Sequence, residues 1–382
     1  MDYRGSTGIV TRTAAAWLAG LVVLAACGGQ ADSDVAEAET GAISQANAPF
    51  RTDGEGADHL ILENERHFGS LIQLTFGGQN AEAYWSTDDQ WIIFQATPRE
   101  AECDQQFTMR PDGSDLSQVS TGVGRTTCGY FLPGNEKIVY SSTHLGGDEC
   151  PAEPDRSQGY VWALYEDYDV FIADADGLNL ERLTDAPGYD AEATLSRDGE
   201  WIVFTSARDR DLEVYKMRTD GSELTRLTNG PGYDGGAFFS YDGTKIVYRA
   251  SRPAGDELAD YQRLLAQGLI RPSQLDIFVM DADGSNKRQL TDNGRANFGP
   301  YFLPDGERII FSSNMDAESP RVPDFDLYTI AVDGTGLERI TYAGDFDGFP
   351  MFNSDGTRLI FASNRGNELP RETNLFIADW VD

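Results

Sequence analysis

Six copies of one short pattern run through this chain, and that repeat limits the fold more than any other feature. Each copy is a turn followed by a β-rich run ending in an aromatic residue, at residues 88–94, 134–140, 198–204, 242–248, 305–311 and 355–361. Asp198-Gly199-Glu200-Trp201-Ile202-Val203-Phe204 is representative. Asp-Gly permits the positive φ values of a tight hairpin, and β-branched and aromatic residues suit a pleated, buried strand. A second pattern alternates with the first: a strand, an Asp-Gly turn and a shorter strand. It leads to Arg182-Leu183-Thr184, Arg226-Leu227-Thr228, Gln289-Leu290-Thr291, Arg339-Ile340-Thr341 and Gln118-Val119-Ser120. One unit therefore holds four strands. Asp198 to Asp242 spans 44 positions, the length of a four-stranded propeller blade. A single blade cannot bury both faces, whereas a closed ring of blades does. Two stacked sheets would not repeat one motif at this spacing. The expected fold is all-β: a six-bladed β-propeller with four-stranded blades.

Ring closure follows from the ends of the repeat. Residues 374–379 read as a third strand with no fourth strand after it, and residues 70–75 as a fourth strand ahead of the first complete blade. The N-terminal strand is expected to complete blade six, which removes two free sheet edges. His59-Leu60-Ile61-Leu62 also reads as a third strand and competes for that place.

Ahead of the repeat lies an export signal. Arg4 and Arg12 precede an apolar run at residues 14–24 that is short for a membrane span. The run ends in Leu24-Ala25-Ala26-Cys27, which resembles the lipobox of bacterial lipoproteins, where the cysteine is acylated and becomes the mature N-terminus. Gly28 follows rather than the aspartate that retains such proteins in the inner membrane, so the resemblance implies the outer membrane. The expected organisation is a signal peptide at 1–26, a lipidated cysteine and disordered acidic linker at 27–57, and the propeller at 58–382. The chain has 63 acidic and 30 basic residues, a net charge of −33. A surface of that sign repels phosphate backbones and argues against a nucleic-acid partner.

The six-fold pattern resembles the PD40 repeats of the TolB-like propellers over residues 58–382. The resemblance implies the fold and a periplasmic setting among envelope proteins. The family's namesake has an additional N-terminal α/β domain, for which residues 28–57 are too few and too polar.

Candidate binding residues come from the loops. The long insertions, 144–169, 251–276, 314–326 and 364–373, all fall between second and third strands and therefore on one face of the ring. Within the second of these, Leu258, Tyr261, Leu264 and Leu265 follow helical spacing over 256–267, and Gly268 suits a stop. Aligning the blade-to-blade loops gives one equivalent position in each blade: Asn80, Thr126, Asp190, Asp234, Asn297 and Asp347. These six are expected at the mouth of the central channel, with Glu82 and Glu192 nearby and Tyr189 and Tyr233 as aromatic walls. Asp190, Asp234 and Asp347 would offer hard oxygen ligands to Ca²⁺ or another divalent cation, and Arg125 would meet a ligand carboxylate. Asn and Asp at such positions commonly serve only to stabilise turns, and that plainer role stands beside the ligand reading. Cys103, Cys128 and Cys150 share the long-loop face. Two of them are expected to form a disulfide in an oxidising compartment, and a Cys₃His zinc site with His144 is the alternative. No Ser-His-Asp pattern, nucleophile elbow or His-Glu-x-x-His occurs. The expected function is a non-enzymatic, lipid-anchored envelope propeller that binds a protein or peptide on its long-loop face. The alternative is a cation-dependent enzyme, a glycosidase, lyase or peptidase-like protein, with its site at the channel mouth.

Overall fold

A computed structural model describes residues 48–318, 324–344 and 346–382. Cys27 and the export signal lie outside the described residues.

The described chain is a six-bladed propeller. Blade 1 is Gln79–Trp85, Ile92–Thr97, Gln105–Met109 and Ser117–Gln118. Blades 2, 3, 4 and 5 begin with inner strands Thr126–Phe131, Asp190–Leu195, Asp234–Phe239 and Asn297–Phe302, and each is a four-stranded antiparallel sheet. Blade 6 combines Asp347–Phe352, Arg358–Ser363 and Asn374–Trp380 with Phe68–Phe76 from the N-terminal side. The competing segment 59–62 is not a strand; Asp58–Leu60 forms a 3₁₀ turn. A strand that the sequence reading missed, Arg51–Gly56, pairs outside Phe68–Phe76 as a fifth. The folded domain therefore starts before residue 58. Short polar strands with two glycines give little propensity signal, and here pairing along an open edge decides the conformation.

The repeated residues account for blade packing. The aromatics that close the first pattern (Phe94, Tyr140, Phe204, Tyr248, Phe311 and Phe361) have no solvent exposure. Each meets an aromatic of its own third strand: Phe107, Phe171, Tyr215, Phe278, Tyr328 and Phe376, at 5.6–6.4 Å between ring centroids. Deleting one such ring from a close-packed core costs about 3–5 kcal/mol. The hydroxyls of Ser120, Thr184, Thr228, Thr291 and Thr341, which end the second pattern, accept a backbone N–H from the start of the third strand at 2.9–3.0 Å. Thr75 does the same for Leu375, so the N-terminal strand completes blade 6 by the bond used in the other five.

The disulfide joins Cys103 to Cys150 across 47 positions, pinning the blade 2 insertion to the blade 1 loop. Closing a loop of this length stabilises by about 2–4 kcal/mol. Cys103→Ser with Cys150→Ser is expected to lower stability by that amount in urea unfolding.

Candidate functional site

Every inner strand carries a bulge at the same place. Glu82, Cys128, Glu192, Gly236, Gly299 and Phe349 all have φ between +50° and +58°, and the register with the second strand slips there in each blade. Only glycine adopts this conformation without strain, so the four non-glycine residues are held against a local cost of about 1–3 kcal/mol. The bulges bring Glu82, Cys128 and Glu192 together near the long-loop end of the channel. Two residues further on, the channel is stoppered. Tyr84 packs on Tyr130 at 5.4 Å and on Phe238 at 5.6 Å, and Phe238 packs on Tyr301 at 5.5 Å. The result is a cup with an aromatic floor.

The cup is polar on the side of blades 1 to 4. Cys128 Sγ donates to Glu82 Oε2 at 2.7 Å. Glu192 accepts from Thr205 Oγ1 at 2.6 Å, Tyr233 O–H at 2.7 Å, Gly236 N at 3.0 Å and the Arg249 guanidinium. Arg249 Nε donates to Tyr233 Oη at 2.9 Å. Burial pushes the Glu82 carboxyl up to about 7, with Glu192 adding like-charge repulsion. Burial also lifts the Cys128 thiol well above its ordinary value, so Cys128 is a protonated donor rather than a nucleophile.

A roof covers part of the cup. Trp162–Ala163 of the blade 2 insertion pairs with Leu269–Ile270 of the blade 4 insertion. The expected helix is present as Asp256–Leu265, ending before Gly268 at φ +68°. Tyr261 and Leu264 of this helix are buried, and Leu164, Leu212, Tyr233, Tyr261, Ile270 and Leu275 form a separate apolar cluster with Trp162 and Tyr189 against it. Trp162 lies 5.1 Å from the Arg249 guanidinium, joining roof to cup.

The six aligned positions sit elsewhere. Asn80, Thr126, Asp190, Asp234, Asn297 and Asp347 are 0–1% exposed. Each gives its backbone N–H to the carbonyl of Thr373, Asp104, Tyr168, Leu212, Leu275 or Phe325 respectively, at the start of the preceding blade's third strand. The side chains of Asn80, Thr126 and Asn297 bond across the blade seams, and those of the three aspartates bond to residues of their own blades. Asp190 takes Ser206 at 2.5 Å and Arg208 at 2.8 Å, Asp234 takes Arg252 at 2.7 Å, and Asp347 takes Arg365 at 2.9 Å. Asn297 binds Ser313 and the Leu275 carbonyl, Asn80 the carbonyls of Gly77 and Thr373, and Thr126 the Asp104 carbonyl. The three aspartates therefore do not converge on a cation. Among the described residues no group of three or more His, Cys, Asp or Glu side chains is arranged to hold a metal. His144 bonds Ser142 and packs on Phe171, and two of the three cysteines of the zinc alternative are joined in the disulfide. Arg125 is committed to Asp104 at 3.3 Å and Glu153 at 2.7 Å.

Of the expected site residues, Glu82, Glu192 and Tyr233 meet in the cup, and Tyr189 is half-buried beside it against Tyr168. Arg249 was missed, and Cys128, expected only as a disulfide or zinc partner, is the free, buried cysteine among the described residues and lies in the cup. A signal for the seam pairs was present: Arg208, Arg252 and Arg365 each stand 18 positions after their aspartate, while Asn297 and Thr126 are followed at that distance by Met315 and His144.

Three buried acids act together on stability. Asp234 and Asp326, like Glu82, are pushed up to about 7 by burial. Their unfolded values lie near 4, so between about pH 4 and pH 7 the native state binds more protons than the unfolded chain, and stability falls as pH rises through that window. Urea midpoints are expected to be higher at about pH 6 than at about pH 8, with Glu82→Gln flattening the difference.

Residues 151–262 match the family model of the TolB β-propeller domain. Over that stretch the chain is similar to the TolB propellers. The putative TolB of Agrobacterium tumefaciens is 18% identical, with 81% of this chain and 93% of that one covered at a TM-score of 0.55. TolB of Acinetobacter baumannii is 14% identical, with 87% and 80% covered at 0.50. A gluconolactonase of Xanthomonas campestris is 15% identical, with 86% and 94% covered at 0.51. No curated protein matches by sequence. At these identities the likeness of this propeller to solved structures is one of fold, and one fold can carry both binding proteins and enzymes.

Proposed function

We propose that this TolB-like propeller is a non-enzymatic binding protein of the bacterial envelope. It takes a protein or peptide partner on its long-loop face and is tethered on the periplasmic side, at the outer membrane, by a lipid on Cys27. The observation that carries the binding reading is the roof. Two insertions from different blades build a ribbon and a helix with their own apolar cluster, yet leave Leu145 58% and Tyr160 60% exposed on the same face. Rigid loops presenting apolar side chains are a common form of docking surface. The Cys103–Cys150 disulfide fits an oxidising compartment. A photo-crosslinking residue at position 160 is expected to trap a defined partner in intact envelopes, and one at Leu224 on the opposite face to trap none. Equal trapping at both positions would refute the face assignment. Palmitate labelling, lost on Cys27→Ala, checks the anchor.

One observation favours a second reading, an enzyme working in the cup. The Glu82 carboxyl titrates near neutrality, where a general acid or base is most effective. Turnover abolished by Glu82→Gln with the fold intact would establish it.

A further inference from the structure

The six bulge positions do not fill the cup evenly. Blades 1 to 3 bring Glu82, Cys128 and Glu192, blades 4 and 5 bring the glycines 236 and 299, and blade 6 brings the Phe349 ring. Arg249 takes the space at Gly236, where an added Cβ would lie 2.9 Å from its guanidinium. At Gly299 the nearest atoms to an added Cβ all belong to Phe349, at 3.4–3.6 Å, so the blade 5 side stays uncrowded. The wall across the ring from Glu192 is aromatic. Phe346 stands one residue before the inner strand of blade 6, the position that Tyr233 holds in blade 4. Its ring packs on Phe298 at 6.3 Å and on Phe349 at 6.1 Å, and Phe346 and Phe349 are both partly exposed. The charges in the cup do not balance. Arg249 is paired with Glu192, and no ion pair to Glu82 is formed among the described residues. Glu82 Oε2 accepts from Cys128, while Oε1 has no hydrogen-bond partner among the described residues and keeps contact with solvent. The titratable and charged groups acting on Glu82 are Cys128, Glu192, Arg249, Asp104 and Tyr84, and Asp104 is itself paired with Arg125.

We infer that the cup binds an amine, with its ammonium against Glu82 and its apolar body against Phe346 and Phe349. The ammonium supplies the counter-charge that Glu82 lacks, through a charge-assisted bond about twice as strong as a neutral one. The phenyl faces attract the same cation and bury the carbon skeleton that carries it. A metal ion is the poorer match, because the acidic and thiol groups are not arranged to hold one and the aromatic wall offers no ligand atoms. The inference rests on the proposed binding role only for the source of the amine, which is a lysine of the partner chain or a free amine.

Titration calorimetry of the full chain tests this with phenethylammonium, the uncharged phenethyl alcohol, and the blocked peptides acetyl-Lys-Phe-amide and acetyl-Gln-Phe-amide. Saturable binding of phenethylammonium but not of the alcohol, weakened about tenfold or more in Glu82→Gln, supports a site for free amines. Binding of the lysine peptide but not of phenethylammonium or the glutamine peptide, with the same loss in Glu82→Gln, supports a lysine delivered by a partner. Because the Glu82 carboxyl ionises near neutrality, wild-type affinity is expected to be higher at about pH 8 than at about pH 6, with Glu82→Gln removing the difference. A change in the shape of the cup alone would not remove it. Phe349→Ala is expected to weaken binding through the lost wall. No binding of any probe, equal binding of the uncharged counterparts, or affinity unchanged in Glu82→Gln or Phe349→Ala overturns the inference. Trapping of a partner at position 160 without amine binding would remove the cup site and leave the docking face standing.

Discussion

Replacing Glu65 with alanine is expected to lower the unfolding free energy by about 3–5 kcal/mol, the range for breaking a buried ion pair by removing one partner. Glu65 is 2% exposed, Arg365 6% and Asp347 1%. Arg365 Nη1 and Nη2 each donate to one Glu65 oxygen at 3.1 Å, and Nη2 also donates to Asp347 at 2.9 Å. Glu65 further accepts the backbone N–H of Leu62 at 2.9 Å and of Tyr342 at 3.1 Å. The carboxylate therefore fastens the N-terminal segment to the seam between blades 5 and 6, where the ring closes. Without it the guanidinium keeps one counter-charge for a position built around two, and two backbone donors lose their acceptor. Urea unfolding measures the loss. Arg51→Ala is the contrasting case: its bonds to Asp53 and Glu55 are made at a half-exposed surface, and pairs of that kind contribute about 0–1 kcal/mol. Equal effects of the two substitutions would show that the buried triad does not hold the ring shut.

Arg249→Met is expected to cost a similar about 3–5 kcal/mol at pH 8, and for a reason tied to the cup. The substitution leaves Glu192 buried without its cation and within reach of Glu82, whose own carboxyl already resists ionisation. Adding Glu192→Gln to Arg249→Met removes the stranded charge and is expected to recover at least half of the loss, because a buried pair replaced as a pair is often close to neutral. The cost of the single substitution should also shrink on acidification through pH 7, as Glu82 takes up its proton and the repulsion disappears. A double-mutant cycle in urea at two pH values tests both statements. A double variant as unstable as the single would mean that Arg249 acts through packing on Trp162 and Tyr233 rather than through charge.

The six turns and their aromatic strand ends were legible because they are local. An Asp-Gly turn needs only its own backbone, and in blade 3 Ser196 donates to Asp198 while accepting from Trp201 N, bonds that span no more than five residues. The positions 89 and 135, where Asp and Asn stand in place of glycine, still adopt φ of +59°. The roof helix was legible from its apolar spacing. The Arg51–Gly56 strand was not, because its conformation is set by an edge 16–25 residues away in sequence.

For the site the division runs differently. The aligned acids were found at one equivalent position in each blade, but alignment says nothing of which way a side chain points. The bulge two residues later turns Glu82 and Glu192 into the channel, while Asp190, Asp234 and Asp347 are held in the seams by arginines from their own blades. Repetition along the chain determined how many blades there are, what packs inside each and which loops share a face, because those depend on neighbours within about 45 residues. Which carboxylates meet and which cysteines join depend on contacts between blades, and only closing the ring decides them.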